Sequence, residues 1–151
     1  MDPSLELGIQ NLTPPAEDDL GDQALALINE RRTEQGCPPL TRNNQLDTAA
    51  YAHSEDMALN DYFAHESRDG SPFWMRIQAA GYNFALAAEN LVAGTADPAV
   101  AVATWMSSDA HRVNILNCDL TETGLGFYTL DGDTGNINYT YYWTQVFATP
   151  Q

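Results

Sequence analysis

Lysine is absent from this 151-residue sequence; its six basic residues are all arginine. That absence excludes Schiff-base catalysis and the phosphate-gripping lysine of a P-loop. Against the six cations stand 21 acidic residues, a formal net charge of −15. Such a chain offers no basic face to nucleic acid or to an anionic membrane surface. Long apolar runs are also lacking. The longest, at 84–88 and 99–103, fall far short of the roughly 20 residues that cross a membrane. The opening MDPSLELGIQ has neither the basic nor the apolar part of a secretory signal.

Cysteine is scarce. Cys37 and Cys118 are too far apart for a CxxC or a zinc ribbon. Two readings stand at this point. They are separate buried thiols, or they form one disulfide closing a loop of about 80 residues, worth about 4 kcal/mol if unstrained. Cys37 has no basic or histidine neighbour in sequence and precedes Pro38-Pro39, which argues against a nucleophile. The familiar catalytic strings HExxH, GxSxG and GxGxxG are missing. DGDTGNINYTYY starts like a calcium loop but has Asn136 where glycine and Tyr142 where glutamate belong. It reads as turn chemistry. Asn138-Tyr139-Thr140 has the form of a glycosylation sequon but falls where a strand is expected.

The length and a hydrophobic content of 44% suit one globular domain. Residues 1–21, rich in Pro, Asp and Glu, read as a flexible lead-in, and 22–151 as the domain. A first helix is predicted from an Asp22 cap to Gln35, with Leu25 and Ile28 inward and Gly36 ending it. A second covers 44–60, where Leu46, Ala49, Ala50, His53 and Met57 recur at helical spacing. His53 on that apolar side reads as a hydrogen-bonded core residue. Ser71 and Pro72 open a third helix with Phe73, Trp74 and Ile77 inward. Asp97-Pro98 opens a fourth, burying Val102, Trp105 and Met106, and Ser108 caps a short turn holding His111. Two strands, 124–130 and 139–148, close the chain as an antiparallel hairpin. Helices first and strands last is an α+β order, with helices covering a small antiparallel sheet.

Three residues stand out chemically. His65 lies in FAHESRDG and His111 in SSDAHRVNIL, both polar settings, while Glu89 sits in the apolar AAENL. A carboxylate buried there requires a cation or a protonated imidazole as partner. Two histidines and a glutamate suit a divalent metal with an open position for water. They equally suit acid–base work in which the carboxylate orients an imidazole.

In chain order the fragments ALALINERR, GCPPL, LDTAAYAHSEDMALNDYFAHESRDG, RIQAAGY, AENLVAG, WMSSDAHRVNILN, TETGLGFY and YYWTQVFA resemble the CAP superfamily. This is the SCP/pathogenesis-related-1/antigen-5 group, and the likeness is to its bacterial secreted form, over about 22–149. The resemblance implies an α–β–α sandwich with a small antiparallel sheet between helical layers. It implies an extracellular or cell-surface location, with any export signal removed ahead of this chain, and a Cys37–Cys118 disulfide. Many eukaryotic members carry a His/Glu/Glu/His tetrad in a central cavity, and some bind a divalent cation there. By motif position His65 and Glu89 match two of the four. The second glutamate falls near Ser107-Ser108, and Tyr142 takes the place of the later histidine. In bacterial forms the WMxSxxHR segment supplies another histidine, here His111.

The expected site is therefore a polar cavity lined by His65, Glu89 and His111, able to hold zinc or another divalent cation. Asn90, Tyr142 and Gln145 are expected around it. Three functions follow. The first is a non-enzymatic extracellular module, a monomer, that binds a partner protein, glycan or lipid. The second is a metal-dependent, peptidase-like hydrolase in which His65, Glu89 and His111 are catalytic. The third is a lipid or sterol carrier.

Overall fold

A computed structural model describes residues 17–151; the first 16 residues of the predicted lead-in lie outside the described residues. Helix α1 (Glu17–Glu34) begins five residues ahead of the expected Asp22 cap. Between Pro15 and Gly21 the sequence has no breaker, so nothing prevents the helix from starting ahead of Asp22. Its inward stripe is Gly21, Ala24, Ile28 and Arg32, spaced by three or four; Ile28 is buried as expected, while Leu25 is only partly buried at the flank. Gly36, at φ 84°, ends it in the left-handed conformation that favours glycine.

Strand β1 (Thr41–Arg42) follows, then α2 (Asn44–Leu59). Asn43 caps α2 by accepting from the Gln45 and Leu46 amides. Helix α3 (Phe73–Ala79) has Pro72 at its cap. Ser71 instead donates its hydroxyl to Asp69 at 2.6 Å. Ile77 is buried, but Trp74 is 40% exposed, a correction to its expected inward position. With only seven residues, α3 presents a narrow inner face.

Strand β2 (Phe84–Ala93) covers a segment the sequence left unassigned. Helix α4 (Pro98–Met106) opens as expected on Asp97, whose carboxylate accepts the Ala99 amide at 2.9 Å. Helix α5 (Asp109–Ile115) precedes β3 (Glu122–Thr129) and β4 (Tyr141–Pro150). The last two pair antiparallel.

The sheet order is β1-β3-β4-β2. Strands β2 and β4 are antiparallel and β1 runs parallel to β3, so the sheet is mixed rather than purely antiparallel. Helices α2 and α3 cover one face through Leu46, Ala50, Ile77, Val146 and Ala148. Helices α1, α4 and α5 cover the other through Ile28, Trp105, Ile115, Trp143 and Phe147. This is the expected α–β–α sandwich. Cys37 and Cys118 form a disulfide, joining the loop after α1 to the turn after α5.

Candidate functional site

The site is built at strand β2, on one outer edge of the sheet. Strand alternation turns Glu89 toward the α2–α3 side and Asn90 toward the α5 side. The Glu89 side chain is 1% exposed and both its oxygens are engaged. Oε1 accepts from His65 Nδ1 at 3.0 Å, and Oε2 accepts from Arg76 Nη2 at 2.5 Å. Arg76, on α3, also donates to Ser67 Oγ at 2.7 Å. One guanidinium thereby ties the His65 loop to the buried carboxylate.

The loop is held from below as well. His53 Nε2 lies 2.6 Å from the Ala64 carbonyl, one residue before His65. A carbonyl can only accept, so His53 carries its proton on Nε2, and its buried Nδ1 is left without a partner. Burial pushes the His53 pKa down, keeping the ring neutral. The core histidine of the sequence reading thus also positions the residue beside His65.

A carboxylate likewise only accepts, so His65 donates through Nδ1 and leaves Nε2 free. Its side chain is 49% exposed. The hydrogen bond to Glu89 raises the His65 pKa, outweighing desolvation. His111, on α5, is shifted the other way, by burial first and by the nearby His65 charge second. His65 and Glu89 are thus in direct contact, whereas His111 lies near enough to His65 to feel its charge but makes no hydrogen bond to either. Asn90 supports from the opposite face: its amide donates to the His111 carbonyl at 3.1 Å and accepts from Asn114 at 2.9 Å.

The hydrogen bonds of Tyr142 and Gln145 go to other residues. Tyr142 pairs with Ala93, four register positions from Glu89, and its hydroxyl donates to Asp133 in the loop between β3 and β4. Burial and that bond push its pKa up to about 12. Gln145 pairs with Asn90, one residue from Val146 opposite Glu89, and so faces away from Glu89. It donates to Thr123 Oγ1 at 3.1 Å. Arg76 and Ser67 are the residues that sequence reasoning missed. The signal for Arg76 was present: a buried carboxylate needing a cation, in a chain with only six.

The donor set does not fit a divalent cation. Both Glu89 oxygens are committed, one to a guanidinium whose charge a metal would have to face at close range. Among the described residues no three His, Cys, Asp or Glu side chains gather as a ligand group.

The two pKa shifts act on stability with opposite signs. The raised His65 pKa contributes fully below the ordinary value of 6.5 and is lost as pH rises through the folded value. The lowered His111 pKa contributes fully above 6.5 and is lost as pH falls toward the folded value. Urea unfolding across about pH 5 to 8 should show His65→Ala less weakened by alkali, and His111→Ala less weakened by acid, than the unaltered protein. The His65 difference should stay below about 1 kcal/mol, because solvent screens a half-exposed ring. Parallel stability–pH curves would contradict both shifts.

With this geometry in view, the chain belongs to the cysteine-rich secretory protein (CAP) family, whose pattern matches residues 25–147. The uncharacterized protein YkwD of Bacillus subtilis is 37% identical over 126 residues, 83% of this chain and 45% of that protein. The uncharacterized membrane protein YlbC of the same organism is 35% identical over 104 residues, 69% of this chain and 30% of that protein. The chain thus spans less than half the length of either relative. An extracellular protein containing an SCP domain from Bacillus anthracis superposes with a TM-score of 0.72 at 29% identity, over 90% of this chain and 44% of that one. An outer surface protein from Borrelia burgdorferi gives 0.80 at 18% identity, over 91% and 97%, a likeness of fold alone. Among the described residues no helix is long and apolar enough to cross a membrane.

Proposed function

We propose that this chain is a non-enzymatic extracellular CAP module that recognises its ligand at the half-exposed His65 ring, with His111 beside it. The observation that carries the reading is the double engagement of Glu89. A carboxylate spent on orienting His65 and neutralising Arg76 is a poor general base and a poor metal ligand. Among the described residues no hydroxyl or thiol is hydrogen-bonded to His65, so no nucleophile stands ready for activation. The disulfide suits an oxidising compartment, and the solved Bacillus anthracis relative is described as extracellular.

A second reading has one observation in its favour. A carboxylate-oriented imidazole with a free Nε2 is the geometry of a general base. The test separates the two. EDTA-stripped protein is titrated with zinc by calorimetry, and denatured casein and aryl esters are assayed with and without zinc. The binding-module reading expects no stoichiometric zinc binding at micromolar affinity and no turnover above buffer. Turnover abolished by His65→Ala would overturn it. So would tight zinc binding abolished by Glu89→Gln.

A further inference from the structure

The sequon Asn138-Tyr139-Thr140 does not lie on a strand. Strand β4 begins at Tyr141, later than the expected start at 139, so the sequon occupies the loop between β3 and β4. Asn138 is exposed there, and among the described residues its side-chain amide has no partner. The chain on either side is pinned. The Asp61 carboxylate accepts the Asn136 amide at 3.1 Å and the Ile137 amide at 2.7 Å. Ile137 packs against the cluster of Met57, Leu91 and Tyr142. Tyr139 meets Phe63 edge to face, with 5.8 Å between ring centres. With its neighbours held in this way, Asn138 projects into solvent.

Thr140 carries the second observation. Its φ is 68°, in the left-handed region where a β-branched residue is an outlier. Across it the Tyr141 amide donates to the Tyr139 carbonyl at 2.7 Å, a three-residue turn of the rare, strained γ type. The Thr140 amide donates to Asp133 Oδ2 at 3.1 Å, and its carbonyl accepts the Leu130 amide at 2.8 Å. These contacts fix the backbone and make no use of the side chain, and glycine would meet them without strain. Among the described residues the Thr140 hydroxyl has no partner. The fold therefore gives no reason for a threonine at the one place in this loop where a threonine is strained. Strain of this kind clusters at functional positions. The hydroxyl supplies the third residue of Asn-X-Thr, which a glycosylating enzyme reads together with the asparagine amide.

We propose that Asn138 is an N-glycosylation site of the exported chain, an inference that rests on the extracellular reading above. The donor is an oligosaccharide on a polyprenyl phosphate or pyrophosphate carrier. Asn138 Nδ2 attacks its anomeric carbon; the N–C bond forms as the C–O bond to the carrier phosphate breaks. The phosphate leaves with the bonding pair, and the amide gives up one proton. Tyr139 rests on Phe63, two residues ahead of His65, so the glycan borders the loop that carries the site. The test uses the full chain recovered from the medium and envelope of the cell that makes it, alongside Asn138→Gln, Thr140→Ser and Thr140→Gly made in the same cell. Intact-mass and glycopeptide mass spectrometry should find one glycan on Asn138. It should be lost completely in Asn138→Gln and Thr140→Gly, and kept in Thr140→Ser, which retains the hydroxyl. Circular dichroism of each variant separates loss of the sequon from loss of the fold. Asn11-Leu12-Thr13 is a second sequon, outside the described residues. A glycan there with none on Asn138 would overturn the proposal. Bare Asn138 in chain recovered outside the cell would also overturn it and leave the extracellular reading standing. Chain found only inside the cell would overturn that reading, and the proposal with it.

Discussion

Replacing Gly126 by Ala is expected to destabilise the protein by about 4 kcal/mol, at the upper end for a change of one methyl group. Gly124 and Gly126 lie two apart on β3, so both face α2. A Cβ at 124 would meet the Leu46 carbonyl carbon at 2.0 Å, and one at 126 the Tyr51 nitrogen at 2.2 Å. Those neighbours are helix backbone, which cannot swing aside as the end of a side chain can. The match is periodic. Four helical residues advance about 6 Å and two strand residues about 6.7 Å, so successive turns of α2 settle on successive glycines. One turn further, Ser54 Oγ donates to the Gly126 carbonyl at 2.9 Å and lies 2.8 Å from Thr144 Oγ1. Lifting α2 to admit a methyl group would break these buried contacts together. Gly94→Ala is the control. It has a φ of 97° but no atom within 4 Å of an added Cβ, so only backbone strain of about 1 kcal/mol is expected. Urea unfolding of the two variants separates clash from strain. A cost below about 1 kcal/mol for Gly126→Ala would show that α2 does not rest on the strand as described.

The contact just described is hidden in the sequence, though 124–130 reads as a strand. Periodicity identified α2 and β3 separately, because each carries its own pattern, but nothing local states that they touch backbone to backbone. The same division runs through the fold. Asp97-Pro98 and Gly36 marked helix ends, because caps act within one turn. Strand β2 escaped notice because it is covered on both faces over its second half, so FALAAENLVA lacks the polar alternation of a one-sided strand. Two-residue β1 is too short to carry any pattern. At the site, the demand of Glu89 for a partner was legible, since an isolated buried carboxylate is costly. That Arg76 would supply it, from α3 thirteen residues earlier, is a tertiary fact. Motif order named Gln145 and Asn90 together, and they are cross-strand partners on one face, but which face of the sheet they share with respect to Glu89 is set by a register that a shift of one residue would reverse.

Arg32 is the second position where a large loss is expected, about 4 kcal/mol for Arg32→Met. It continues the apolar stripe of α1 and is fully buried, and among the described residues no carboxylate is paired with it. Four carbonyls take that role. Nε donates to Pro38 at 3.0 Å, Nη1 to Ile115 and Asn117 at 2.9 Å each, and Nη2 to Leu120 at 2.9 Å. Burial lowers its pKa, the mark of a cation taken out of water. Methionine would relieve that desolvation but strand four acceptors, each costing about 1–3 kcal/mol if left dry. Arg32→Lys keeps the charge but cannot reproduce a planar fork that reaches three chain segments, so it should recover less than half of the loss. The consequence for the site follows from where those carbonyls lie. Ile115 ends α5, and α5 carries His111. The arginine thus anchors the end of the helix that carries His111, within the same layer of the sandwich and beside the disulfide that ties the same junction. In Arg32→Met the His111 titration, followed by NMR, should move back toward 6.5 as its enclosure loosens. An unchanged His111 titration together with a loss below about 1 kcal/mol would show that the disulfide alone secures the junction.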